Sequence, residues 1–162
     1  MVSDALVATV AALSVTASFP FYVYGAWYIL DQEVVTWSVL VHHLKFIVVG
    51  LLLTTVPMVT WMGPRFLQQF GKGFAALHAF LGLQAYAMLI VALTGIVRIF
   101  QVKRDHDLYA EDADHDVDIG ELHENMGAWR GRLRVGVVGY VLFWLLAWLV
   151  GMVRFVLQYV LA

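Results

Sequence analysis

Long apolar runs alternate with short polar segments along the chain, and this pattern sets the expected fold. Four runs qualify as membrane spans: residues 5–30, 37–62, 74–100 and 135–161. A hydrocarbon core about 30 Å thick needs roughly 20 helical residues to cross it. The runs lack the two-residue alternation of a membrane barrel, so helices are the spanning structure that satisfies the backbone. We predict an all-α polytopic membrane protein with one domain over residues 1–162, a four-transmembrane-helix up-down bundle.

Composition agrees with this class and narrows the chemistry. Hydrophobic residues make up 62% of the chain and charged residues only 14%, which is typical of a polytopic membrane protein. The chain has no cysteine, which excludes disulfides, thiolate nucleophiles, iron-sulfur clusters and cysteine zinc sites. No catalytic residues are indicated, so a non-catalytic protein is the expectation.

Residues 101–134 are predicted to form one acidic aqueous loop between the third and fourth spans. From Asp105 to Glu124 the segment has many carboxylates and no lysine or arginine, as expected for a solvated face. The alternating aspartates at 112, 114, 116 and 118 suggest calcium, but an EF-hand needs glycine at its sixth position and finds Val117 or Ile119. We therefore predict no metal site.

A short amphipathic helix is expected at the end of this loop. Asp118 is a suitable cap for a helix through Glu121, His123 and Trp129 that leads into the fourth span.

Two adjacent histidines begin the second span and point to different faces of the predicted helix. His43 shares its face with Gly50 and Thr54, whereas His42 shares one with Phe46. Small and polar neighbours mark the packed interior of a membrane bundle. His43 is therefore the inward candidate.

Pro57 is predicted to distort the second span, because proline cannot donate to the carbonyl four residues earlier. The free carbonyl lies near Leu53, and Thr54 or Thr55 is its expected local partner. In the third span, His78 lies one turn before Gly82, and Gln84 adds a second polar group at depth. A glycine in this position allows a cofactor edge or another helix to approach the backbone.

Basic residues near the span ends predict the orientation. The face with the acidic loop has the larger share, which places that loop in the cytoplasm and both termini outside the plasma membrane. The residues on the loop side are Lys45, Arg98, Lys103, Arg104, Arg130, Arg132 and Arg134, and those on the opposite side are Arg65, Lys72 and Arg154.

Several motifs together resemble the four-helix core of cytochrome b561-like haem membrane proteins. They are His43 with a glycine two turns on, the run from Leu77 to Leu83 around His78, and His123 followed by Gly127, Arg130, Arg132 and Gly139. The resemblance implies haem b held by histidines near helix ends, and electron transfer with quinols or ascorbate. The corresponding tentative haem-site residues are His43, His78, Gly50, Gly82 and His123.

Helix geometry restricts this haem hypothesis. His43 lies about 9 Å inside one membrane boundary and His78 about 6 Å inside the other, at about 1.5 Å per residue. They are then more than roughly 10 Å apart along the membrane normal, whereas two axial nitrogens on one iron are only about 4 Å apart. The two histidines cannot share a haem. His43 would need His106 or His123, and His78 would need a methionine such as Met58, Met62 or Met152.

The whole chain also resembles an uncharacterised family of small haloarchaeal membrane proteins, including the Asp-His-Asp loop at 114–116 and the segment 126–132. This resemblance implies an origin but no function.

Three functions follow as hypotheses. The first is an accessory or assembly subunit of a membrane complex, for which a respiratory complex is one candidate. The alternative is a b-type cytochrome-like electron carrier. A small transporter is the third, although no internal repeat or set of facing intramembrane charges indicates one. The expected partners are the lipid bilayer and either another membrane protein or a second copy of this chain, with no nucleic acid.

Overall fold

A computed structural model describes residues 3–65, 73–110, 112–113 and 117–161. Within these ranges the chain is helical and has no strand. All four long helices are apolar enough to cross a membrane, which confirms the predicted fold class. They are α1 (Asp4–Leu30), α2 (Trp37–Pro57, continued by a π-helical turn Met58–Met62 and a 3-10 turn Gly63–Arg65), α3 (Gly73–Asp105), and α4 (Met126–Phe155, continued by a π-helical turn Val156–Val160).

The helices begin and end differently from the apolar runs in two places. α3 continues past residue 100 to Asp105, and α4 begins at Met126, before the predicted start at 135. The expected short helix from Asp118 is wrong: residues 117–125 form turns, and Asp118 Oδ1 accepts a hydrogen bond from the Gly120 amide at 2.7 Å. A carboxylate that bonds two residues ahead stabilises a turn in place of a helix cap.

The described part of the acidic loop folds back onto the start of α2. The Trp37 amide donates to the Tyr109 carbonyl at 3.0 Å, and Lys103 Nζ lies 4.8 Å from the centroid of the Tyr109 ring. Leu108 is buried, and Met126 at the start of α4 is fully buried. The loop is thus fixed to the bundle at both of its ends. Asp114, His115, Asp116 and Lys72 lie outside the described residues.

Close packing is concentrated within two antiparallel hairpins, α1–α2 and α3–α4. Glycines permit it: a Cβ on Gly50 would lie 2.8 Å from the Tyr22 ring, and a Cβ on Gly136 would overlap the Ala92 backbone. Small residues at such contacts let membrane helices approach closely. Between the hairpins, α1 and α4 make a smaller contact.

A layer of hydroxyl groups joins the two hairpins, and we call it the tyrosine layer. The Tyr22 hydroxyl is hydrogen-bonded to the Tyr140 hydroxyl at 2.9 Å and to Thr54 Oγ1 at 3.2 Å. Thr55 Oγ1 is hydrogen-bonded to the Tyr86 hydroxyl at 2.8 Å. These bonds connect all four helices in a region where water is not available to satisfy polar groups.

The carbonyl freed by Pro57 has a partner that the sequence analysis did not identify. Ser14 Oγ on α1 donates to the Leu53 carbonyl at 2.8 Å. Thr54 instead donates to the carbonyls of Gly50 and Leu51, and Thr55 belongs to the tyrosine layer. The expectation of a local threonine partner is therefore wrong, because the neighbouring helix supplies the donor.

Candidate functional site

All four helices line one cavity at the end of the bundle where both termini lie. Its volume is about 290 Å³, just below the range of about 300–1,000 Å³ that is usual for small-molecule sites. α1 contributes short side chains, and the ends of α2 and α4 contribute aromatic and cationic ones. The lining residues are Asp4, Ala8, Ala11, Ala12, Val15, Trp61, Met62, Arg65, His78, Trp148, Gly151, Met152, Arg154, Phe155, Gln158 and Tyr159.

Arg154 and His78 form the polar contact inside this cavity. Arg154 Nη1 lies 3.3 Å from His78 Nδ1. A guanidinium has only donors, so Nδ1 accepts and the proton of the neutral imidazole lies on Nε2. That nitrogen faces the backbone of α4, because a Cβ on Gly151 would lie 2.9 Å from it. The fourth helix thus contacts both nitrogens of the imidazole, through the Arg154 side chain and the backbone at Gly151.

Asp4 and Arg65 form the rim of the cavity. Arg65 Nη2 lies 3.1 Å from Asp4 Oδ1, and the guanidinium lies 5.4 Å from the centroid of the Trp61 ring. This ion pair joins the start of α1 to the end of α2. The Trp61 indole nitrogen is buried and has no hydrogen-bond partner among the described residues.

His43, the inward candidate, lies at the opposite end of the bundle and contacts α1. Its Nδ1 lies 2.7 Å from the Gly25 carbonyl. A carbonyl only accepts, so Nδ1 carries the proton and donates. Gly50, on the same face, lies against the Tyr22 ring. Both residues therefore take part in the packing of α1 against α2.

His42 is also packed, although the sequence analysis identified only His43 as the inward histidine. Its ring centroid lies 4.2 Å from that of Tyr28 and 5.2 Å from that of Phe46. Its Nε2 is buried and has no hydrogen-bond partner within the described ranges. The aromatic residues near the end of α1 cover this face, and a helical wheel of α2 alone does not include them.

The other tentative site residues are separate from the two intramembrane histidines. His123 Nδ1 accepts from the Asn125 amide at 3.0 Å, and its ring lies 4.4 Å from that of Trp129. No hydrogen bond or ring contact joins it to His43 among the residues described. Gly82 has open space where a Cβ would lie.

The environment of His78 does not fit an axial haem ligand. One ring nitrogen accepts from Arg154, and the other is protonated and lies against the α4 backbone. An iron ligand needs an unprotonated nitrogen with space in front of it. Across the described part of the chain, no three His, Cys, Asp or Glu side chains are placed to hold a metal ion.

Gln84 is a polar side chain on the outer surface of α3. It is half-buried, and the described residues give its side chain no hydrogen bond. Leu77, Phe80 and Val91, which lie on the same side of the helix, are exposed. Gln84 is thus partly exposed on the side of α3 that carries these side chains.

The fold and the four apolar helices define a small multi-pass α-helical membrane protein. The chain belongs to the DUF7321 family, described as a domain of unknown function, whose sequence profile matches residues 4–160. No curated protein and no solved structure matches the chain.

Proposed function

We propose that this protein is a non-catalytic accessory or assembly subunit, which packs the Gln84 face of α3 against another membrane protein. The observation that supports this is the Gln84 amide of a membrane-spanning helix, which is partly exposed and has no hydrogen bond to any of the described residues.

The depth of Gln84 makes this amide costly without a partner. At about 1.5 Å per residue, Gln84 lies about 15 Å along the helix from Phe74, where the apolar run begins. That distance is half of a hydrocarbon core about 30 Å thick. An amide that reaches hydrocarbon without a hydrogen bond costs several kcal/mol.

Interhelical hydrogen bonding is the usual role of such a residue. Gln side chains on membrane helices bond across helix interfaces, with a measured contribution of about 1–2 kcal/mol or less. The flanking Leu77, Phe80 and Val91 are exposed and supply the apolar contact area beside it. The face therefore combines one polar group that fixes register with side chains that pack.

Co-purification from native membranes tests this role. The chain is isolated in mild detergent as wild type, Gln84→Leu and Gln84→Asn, with Leu83→Ala as a control for loss of a neighbouring exposed side chain. We expect a stoichiometric partner with wild type and Leu83→Ala, loss of that partner with Gln84→Leu, and partial retention with Gln84→Asn. A partner retained fully by Gln84→Leu, or a chain that forms only a monomer or a homodimer, would overturn the proposal.

The proposed orientation places the acidic loop in the cytoplasm and both termini outside the plasma membrane. It is supported by the larger number of basic residues at the loop side of the spans. Because the chain has no cysteine, single-cysteine variants report on each face directly. In intact cells an impermeant maleimide should label Leu161→Cys but not Glu121→Cys, and the reverse pattern would overturn the orientation.

A further inference from the structure

Three polar groups of the terminal cavity can only donate hydrogen bonds, whereas Gln158 and Tyr159 on its lining can also accept them. Arg154, Arg65 and the Trp61 indole N–H can only donate. Asp4, the carboxylate on the lining, is already paired with Arg65. Among the described residues no carboxylate lies within 4.0 Å of Arg154. The cavity therefore has the Arg154 cation available for a ligand with acceptor oxygens, and its lining includes Trp61, whose buried N–H has no partner among the described residues.

The remaining walls are apolar. Ala8, Ala11 and Ala12 on α1 leave space because their side chains are short, and Trp148 and Phe155 on α4 form the opposite wall. Trp148 is fixed in place, because its Nε1 donates to Thr16 Oγ1 at 3.1 Å. A ligand for this cavity needs an apolar part next to its acceptor oxygens.

The two arginines of the cavity lie near the ends of their helices, where lipid head groups are expected. Arg65 is the last residue of the helical segment that α2 begins, and Arg154 is followed only by the last turns of α4. Arg154 is about 9 Å from Val160 along the helix, at about 1.5 Å per residue. The head-group region occupies the outer part of a bilayer that is about 40–45 Å thick in all.

We propose that this cavity binds the phosphate head group of an anionic phospholipid. Arg154 donates to the phosphate oxygens, an arrangement for which the guanidinium is well suited. The Trp61 indole N–H donates to a further oxygen of the phosphate or of the glycerol ester. The alanine face of α1 and the ring of Phe155 contact the first carbons of the acyl chains, which continue into the bilayer.

His78 is a positioning residue in this site. By accepting from Arg154, it holds the guanidinium at the cavity and supplies no competing negative charge. Gly151 permits that contact, since any larger residue would meet the imidazole. Neither residue needs to touch the lipid.

Ligand-induced thermal stabilisation of the full-length protein in detergent tests the site. Phosphatidylglycerol is titrated as the anionic lipid, phosphatidylcholine as the zwitterionic lipid and inorganic phosphate as the free anion. We expect a saturable rise in Tm with phosphatidylglycerol, at least about tenfold weaker binding of phosphatidylcholine, and no saturable effect of inorganic phosphate. Equal binding of the two lipids, or saturable binding of inorganic phosphate alone, would overturn the proposal.

Variants localise the binding. Arg154→Gln and Trp61→Phe should each weaken phosphatidylglycerol binding by about tenfold or more, since a hydrogen bond to a charged group is lost. Arg132→Gln, an exposed arginine at the other end of the bundle, is the matched control and should bind as wild type. If Arg154→Gln does not fold, Trp61→Phe decides, because it keeps an aromatic side chain and removes the indole N–H. Wild-type binding by Trp61→Phe together with weakened binding by Arg132→Gln would place the lipid elsewhere.

Discussion

Replacing Gly136 by alanine tests the close contact between α3 and α4. The new Cβ would lie 2.8 Å from the Ala92 Cβ and closer still to the Ala92 backbone. Carbon atoms in favourable contact are about 3.5–4.0 Å apart, so the helices must separate locally by about 1 Å. Backbone cannot rotate away as a side chain can. Overpacking of this kind costs about 1–3 kcal/mol, and we expect Gly136→Ala to be destabilised by that amount.

Gly131→Ala is the matched control on the same helix. A Cβ there meets nothing within 4 Å, and replacing a helical glycine by alanine stabilises a helix by roughly 0.5–1 kcal/mol. Gly136→Ala gains the same helix stabilisation, so the two variants should differ by the overpacking cost of about 1–3 kcal/mol. Reversible unfolding in mixed detergent and dodecyl sulfate micelles, followed by circular dichroism, measures that difference. If Gly136→Ala is as stable as Gly131→Ala, α3 and α4 do not make this contact.

Three further outcomes are expected. Ser14→Ala leaves the Leu53 carbonyl without its donor and should lower the unfolding free energy by about 1 kcal/mol; an unchanged midpoint in the same micelles would contradict this bond. Burial raises the pKa of the Tyr109 phenol above its ordinary value of 10.0. The stability that this shift contributes is present below about pH 10 and is lost as pH rises through the raised pKa. Thermal unfolding of Tyr109→Phe should accordingly show less loss of stability above about pH 10 than wild type, and equal losses would refute this. Because both ring nitrogens of His78 are occupied, a haem α-band that disappears in His78→Ala, measured on dithionite-reduced protein from native membranes, would contradict this geometry.

The sequence predicted the helices well because membrane spans depend on local apolar content. Its errors concern contacts between distant residues. Ser14 is far from Leu53 in the chain, and a single sequence does not indicate which helix supplies a missing donor. The sequence analysis missed that α4 begins at Met126, because polar residues follow this position and the predicted span was limited to the apolar run. A helix can extend beyond the bilayer through such residues.

The site was predicted less well for the same reason. His78 was identified as an ionisable group within a span, but its partner Arg154 was assigned to the interface and to orientation. The alanines of α1 and Gly151 of α4 indicate the cavity in the sequence. They can be interpreted in this way only when it is known which helices pack together. Membrane orientation and the haloarchaeal origin stay predictions.

The concentration of close packing within each hairpin has a consequence for how the chain reaches its folded state. α1 and α2, and likewise α3 and α4, are neighbouring helices in the chain, so each hairpin can complete its packing soon after insertion. Joining the hairpins then forms the Tyr22–Tyr140 and Thr55–Tyr86 bonds of the tyrosine layer and encloses the terminal cavity. In the final step of assembly, polar groups of the two hairpins thus pair with one another. In a water-soluble protein, the corresponding step is driven by the burial of apolar surface.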